Sequence, residues 1–250
     1  MSETVSEPVA EADEARSALN LDLREAEAFN KLAARWWDPQ GDFRPLHDMN
    51  GPRARWIDRR AEGVNGKRLA DIGCGGGLLS EAMARAGAEV TGIDMAEKPL
   101  AVAGLHRIES GLELEYRQMT AEQLADEQAG QFQVTCCMEM LEHVPDPSSV
   151  VAACFKLLAP GGHAFFSTIN RSPLAWGAAI VGAEYVLRLL PRGTHRYDRL
   201  IRPSELAGFV RAAGGEVAAI EGVAYNPFSR TVTLGGAPRV NYLLHARKPG

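Results

Sequence analysis

The sequence predicts an open α/β sheet, mostly parallel, with helices on both faces. Three observations point there. The stretch Lys67-Arg-Leu-Ala-Asp-Ile-Gly-Cys-Gly-Gly-Gly-Leu-Leu-Ser80 reads as a short strand, a glycine turn and a helix start. Strand and helix patterns then alternate along the chain, as βα units do. A strand in the middle, Phe132 to Met138, is apolar on both faces, as a central parallel strand should be. At 250 residues, with 46% apolar and 24% charged side chains, one α/β domain with a sizeable core is expected.

Residues 1–20 are acidic, alanine-rich and without periodicity, which reads as a disordered tail ahead of a domain over 21–250. A helix starts at about Asp22, a plausible N-cap. Phe29, Leu32, Ala33 and Trp36 share one apolar face until Asp38-Pro39 stops it. Trp36 and Trp37 suit core packing; a cap over a bound ligand is the functional alternative. Phe43 to Asn50 reads as a loop, and Pro52 begins a short helix through Trp56 and Ile57. Composition alone makes Arg53, Arg55, Arg59 and Arg60 a solvated face.

Arg68 to Ile72 is the first strand, Glu89 to Asp94 the second, Leu112 to Arg117 the third and Gly162 to Thr168 the fifth. Helices are expected over Glu97 to Ser110, Val150 to Leu158 and Pro203 to Ala213, the last capped by Ser204. Glu216 to Gly222 and Val240 to Ala246 are the closing strands, joined by a long connection over Tyr225 to Pro238. Residues 170–203 break the rhythm, as a lid over a site often does.

The glycine turn carries the chemistry. Glycine permits positive φ and lets a ligand touch the backbone. Dinucleotides want G-x-G-x-x-G, but the third glycine position is Leu78. What stands instead is Asp71-x-Gly73-x-Gly75-x-Gly77. An acid opening the turn would repel a pyrophosphate and suits a cationic ligand, such as the amino group or sulfonium of S-adenosylmethionine. Asp94 closes the next strand, about 20 residues on, where a carboxylate accepts from both ribose hydroxyls.

Met138 ends the central strand, at the sheet edge where open α/β folds bind ligands; a core methionine is the alternative. Glu139, Glu142 and His143 follow at once. His143 could act as a general base, since an imidazole accepts protons near neutral pH. Or the three could hold a divalent ion, two carboxylates and an imidazole suiting Mg, Mn or Zn. One nitrogen cannot do both.

The glycine stretch resembles the cofactor loop of seven-stranded, class I S-adenosylmethionine-dependent methyltransferases, whose fold is Rossmann-like. Over roughly residues 24–246 the chain also resembles the ubiquinone biosynthesis O-methyltransferases. That likeness rests on Arg35-Trp-Trp-Asp38, Pro45-Leu-His47, Asn50, Arg53, Cys137 to Pro147, Phe166 to Asn170, Val181 to Tyr185, Gly193-Thr-His195, Tyr225-Asn-Pro227 and Val240-Asn-Tyr242. The resemblance implies cofactor contacts at Arg53 and Met138, and magnesium at Glu139, Glu142 and His143. It implies methyl transfer to phenolic oxygens of polyprenylated ubiquinone precursors, at both O-methylations of that pathway. A carbon-methylating or small-phenol relative, an NAD enzyme and a non-catalytic assembly protein are the alternatives.

Net charge is −5, of which the first seventeen residues carry −4. No nucleic-acid partner is expected from that balance. Residues 170–203 are the exception, with six arginines against Glu184 and Asp198, a net of +4. Trp176, Ala179, Ile180, Ala183, Leu187 and Leu190 make an apolar face there. An interfacial helix on anionic lipid is expected, against a helix packed on its own domain. The expected location is therefore cytoplasmic, peripheral on the inner face of the membrane, in association with other ubiquinone-synthesis enzymes. Cys74, Cys136, Cys137 and Cys154 have no metal or redox spacing and read as buried free thiols. No apolar run is long enough to span a bilayer, and the acidic start is neither a signal nor a transit peptide.

Overall fold

A computed structural model describes residues 20–177 and 197–250. The acidic tail through residue 19 lies outside the described residues. So does the centre of the 170–203 excursion, with Val181 to Tyr185 and Gly193 to His195.

Helix α1 (Leu23–Leu32) is followed by a 3-10 turn at Ala33–Arg35, then α2 (Arg44–Arg60). Asp22 is the cap of α1, accepting from the Arg24 amide at 3.0 Å. The α/β repeat follows as β1 (Arg68–Ile72), α3 (Leu78–Arg85), β2 (Glu89–Asp94), α4 (Glu97–Ser110), β3 (Glu115–Gln118), α5 (Ala121–Glu127), β4 (Phe132–Met138), α6 (Pro147–Leu157) and β5 (Leu158–Ile169). A single turn, α7 (Pro173–Ala175), opens the excursion; α8 (Pro203–Ala212), β6 (Glu216–Asn226), β7 (Thr231–Leu234) and β8 (Asn241–Arg247) complete the chain.

The strand order is β3-β2-β1-β4-β5-β8-β6-β7. The first five strands in that order pair in parallel. The last strand, β8, is antiparallel to both β5 and β6. Chain order reverses between β1 and β4, so a crevice opens beyond their carboxyl ends. Register sets Asp71 beside Gly92 on one side and Cys136 on the other. The ends Ile72, Asp94 and Met138 thereby come together.

Alternation builds the two faces. Ala70, Phe166 and Leu244 pack toward α5, α6 and α8, while Leu69, Phe165 and Leu243 pack toward α2 and α3. The central strands β1, β4, β5 and β8 therefore bury both faces, which is why they read as largely continuous apolar runs.

Three expectations are corrected. The stretch Phe43 to Asn50 is not a loop, because α2 runs from Arg44 through Pro52 to Arg60. Pro45 sits in the first turn, where a missing N–H costs nothing, and burial of Trp56 and Ile57 holds the helix past Pro52. Arg53 is in consequence buried rather than solvated. The connection Tyr225 to Pro238 contains β7, whose hairpin with β6 adds an eighth, edge strand to the expected seven. Ser204 is not the cap of α8. Arg202 is, with Glu205 Oε2 accepting from its amide at 2.8 Å.

Candidate active site

The glycine turn is held from both sides. The amides of Gly73 and Cys74 both donate to the Ile93 carbonyl at 2.9 Å. Gly75 N–H donates to Asp94 Oδ2 at 2.8 Å, and Ala96 N–H donates to Asp94 Oδ1 at 2.7 Å. Asp94 thus ties the turn after β1 to the turn after β2. Gly73, Gly75 and Gly77 all have positive φ, at 71°, 53° and 87°. Trp36 packs over Gly75 and Gly76, and Trp37 donates Nε1–H to the Gly76 carbonyl at 2.9 Å. Trp36 is packed in the core and also lines the cavity above the turn, whereas Trp37 is only partly buried.

Below the turn sit an acid and a base with few partners. Asp71 is 2% exposed and accepts from Ser80 Oγ at 2.6 Å. Burial pushes its carboxyl up to about 6; the Ser80 bond and the Arg53 charge oppose the rise, and Asp94 adds to it. Arg53, on α2, is buried, which lowers its guanidinium from the usual value, while the charges of Glu139 and Asp71 hold it up. Its Nε is buried with no hydrogen-bond partner among the described residues. A guanidinium stays charged, so this orphaned donor marks a place for an anionic group.

The carboxyl end of β4 forms the opposite wall. Glu139 adopts φ 53°, a left-handed conformation uncommon for a non-glycine residue. Its amide is shared between the carbonyl and the hydroxyl of Ser167, at 3.0 and 3.1 Å. Four residues on, His143 Nδ1 lies 3.0 Å from Glu25 Oε2 of α1. Phe29 meets the same imidazole edge-on, with centroids 5.2 Å apart. Burial alone would lower the pKa of His143, but the Glu25 bond and the charges of Glu142, Glu25 and Glu139 leave it raised.

Arg53, Asp71, Gly73, Gly75, Asp94, Met138, Glu139 and His143 all line one cavity. Sequence reasoning missed Glu25 and Ser80. The signal for Glu25 was its place one helical turn before Phe29 on the same face of α1. The cavity has an anion-seeking guanidinium, a buried carboxylate and a second carboxylate at the edge of the glycine turn. That set fits the carboxylate, the cationic centre and the ribose of S-adenosylmethionine.

The chain matches the family described as methyltransferase domain over residues 46–220. A ubiquinone biosynthesis O-methyltransferase from Bordetella avium is 56% identical over 93% of this chain and 97% of its own. This chain belongs to that family. A ubiquinone biosynthesis O-methyltransferase from Pseudomonas aeruginosa is likewise 56% identical, over 92% and 98% of the two chains. Among solved structures, the magnesium protoporphyrin IX methyltransferase of Synechocystis with bound SAH superposes with a TM-score of 0.66. It is 18% identical, over 90% of this chain and 95% of that one, and shows the shared Rossmann-like methyltransferase fold. The chain is an S-adenosylmethionine-dependent methyltransferase.

In this member of the ubiquinone biosynthesis O-methyltransferases, the residues expected to hold magnesium do not form a cage. Glu142 is buried off the cavity wall, accepts from Thr168 Oγ1 at 2.8 Å, and leaves Oε1 without a partner among the described residues. Glu139 Oε2 lies 3.5 Å from Asn241 Nδ2, and His143 turns to Glu25. Among the described residues, no three such side chains converge on a point that could hold an ion. The cause is local: the left-handed step at Glu139 and the 3-10 turn Leu141–His143 send the three side chains apart.

Proposed function

We propose that this enzyme methylates phenolic oxygens of polyprenylated ubiquinone precursors, at both O-methylation steps of that synthesis. The acceptor class is supported by the name of its relatives. The observation that carries the chemistry is the imidazole of His143, held 3.0 Å from Glu25 on the wall of the cavity that Arg53, Asp71 and Asp94 also line.

Bound S-adenosylmethionine supplies a methyl on cationic sulfur, and in-line transfer returns the C–S bonding pair to that sulfur. Arg53 binds the carboxylate end, and Asp71 faces the cationic end. Asp94 takes the ribose hydroxyls on the lone pairs left after Gly75 and Ala96. Because positive charge disperses during transfer, alignment is the main task of these residues, worth roughly 7–11 kcal/mol. His143 deals with the phenol, whose pKa is about 10 by analogy with tyrosine. With Nδ1–H donated to Glu25, the accepting atom is Nε2, and such a base contributes typically 10²–10⁴-fold.

A divalent ion on Glu139, Glu142 and His143 is the competing way to activate the phenol. It rests on ligand type and would need Glu25, Asn241 and Thr168 to release their partners. For location, Leu174, Trp176 and Tyr197 are exposed on either side of the undescribed stretch, at 54%, 48% and 41%. Together with the arginines of 170–203 they support a peripheral contact with anionic lipid on the cytoplasmic side. Among the described residues no helix is long and apolar enough to cross a membrane.

The test uses labelled S-adenosylmethionine, a short-prenyl demethylubiquinol and anionic vesicles, with and without chelator. Label on the phenolic oxygen is expected, unaffected by chelator. Cofactor binding without transfer would move the acceptor elsewhere, and chelator sensitivity would give Glu139, Glu142 and His143 to a metal.

A further inference from the structure

Helix α1 buries none of its residues, yet it lies along the cavity. Polar ties hold it there. Asn20, just ahead of it, donates to Glu122 Oε1 and the Asp146 carbonyl. Asp22 pairs with Arg199 at 2.8 Å, and Asn30 accepts from the Lys98 amide at 2.9 Å. The fourth tie is Glu25 to His143, between side chains that are 22% and 12% exposed. The remaining acid inside the helix, Glu27, points to solvent and pairs with Lys31.

The Glu25 tie differs from the others because of what it grips. Phe29, one turn on, packs against the same ring. Two residues of α1 therefore fix one imidazole, one through Nδ1 and one through the ring edge. An imidazole gripped at Nδ1 is fixed in orientation and tautomer, with Nε2 as its acceptor. The Nδ1 partner comes from a separate helix, 118 residues away in sequence.

We propose that Glu25 is a positioning residue for methyl transfer. Its carboxylate, carried on α1 over the cofactor cavity, orients His143 for the phenolic proton. This rests on the reading of His143 as the proton acceptor.

The test compares kcat and KM for Glu25→Ala, Glu25→Gln, His143→Ala and the double variant Glu25→Ala/His143→Ala, with exposed Glu27→Gln as the control. Circular dichroism checks that each is folded. Glu25→Ala should lower kcat about 10–100-fold, as a small misplacement of a reacting group does, with little change in the KM for cofactor. Glu25→Gln keeps an acceptor oxygen and should recover most of that loss. In the His143→Ala background, removing Glu25 should cost nothing more, which a merely structural role would not produce. Equal losses with and without His143 would overturn the proposal, as would a raised cofactor KM at unchanged kcat. Wild-type kcat in Glu25→Ala beside a slow His143→Ala would overturn it alone. Wild-type kcat in His143→Ala would overturn the base assignment and this proposal with it.

Discussion

Trp36 covers Gly75 so closely that a β-carbon on the glycine would fall 2.2 Å from the indole. The same is true of Gly76, but only Gly75 also has positive φ. Gly75→Ala should therefore destabilise the protein by about 1–3 kcal/mol from crowding, with backbone strain added. Gly76→Ala should show the crowding alone. Thermal melts of the two variants separate the contributions, and cofactor titration of both should show weakened binding.

Arg53 is expected to act on one end of the cofactor only. Arg53→Gln should weaken S-adenosylmethionine by about 1.5–3 kcal/mol, the range for a hydrogen bond to a charged group. Affinity for 5′-methylthioadenosine, which lacks the carboxylate, should be unchanged. Parallel calorimetric titrations check this, and equal losses for the two ligands would remove Arg53 from the carboxylate.

Asp71 sets a pH dependence. Its folded pKa, about 6, lies above the ordinary 3.8, so the folded chain holds this proton between those values. Its contribution to stability is then most favourable below about pH 4 and falls as pH rises through 6, by about 3 kcal/mol at most. A cationic ligand should show the opposite trend, binding more tightly as Asp71 ionises. Titrations of S-adenosylmethionine between pH 5 and 7 should show rising affinity, flattened in Asp71→Asn.

Asp94 joins the two turns that frame the cavity. Asp94→Ala should weaken S-adenosylhomocysteine by about 1.5–3 kcal/mol through lost charge-assisted bonds to ribose. Equilibrium dialysis measures it, and undiminished affinity would confine Asp94 to its bonds with Gly75 and Ala96.

Leu174 and Trp176 are exposed apolar side chains beside an arginine-rich stretch. The double variant Leu174→Ser/Trp176→Ser should lower partition onto anionic vesicles by about tenfold or more, given about 1.5–3 kcal/mol per large apolar group buried. Cosedimentation reads this, with turnover of a soluble acceptor kept as the control for folding.

Much of the fold was legible because its central strands are buried on both faces. Arg68–Ile72, Glu89–Asp94 and Phe132–Met138 stand in the structure where periodicity placed them. Helix α2 was not legible past Pro52, because tertiary burial of Trp56 and Ile57 overrides a proline signal that is purely local. Strand β7 was hidden for a related reason: Thr231–Leu234 is a short, half-exposed edge strand with weak patterning. In the site, Asp71, Gly73, Gly75 and Asp94 could be read because one stretch of chain carries the turn and its flanking acids. Glu25 could not, since its partner is distant in sequence and joined to it only by folding. The expected metal set is likewise not gathered among the described residues, for three neighbours in sequence are sent to three different partners.

The four cysteines are free and buried, and burial raises the pKa of every one of their thiols. An alkylating reagent must find a thiol both accessible and deprotonated, so the folded protein is nearly silent to it. Cys136, Cys137 and Cys154 lie in the core and answer only when the sheet opens, whereas Cys74 lies in the glycine turn and lines the cavity. The molecule thus carries its own pair of clocks. The labelling rate of Cys74 times the uncovering of the cavity, and that of the other three times the unfolding of the whole.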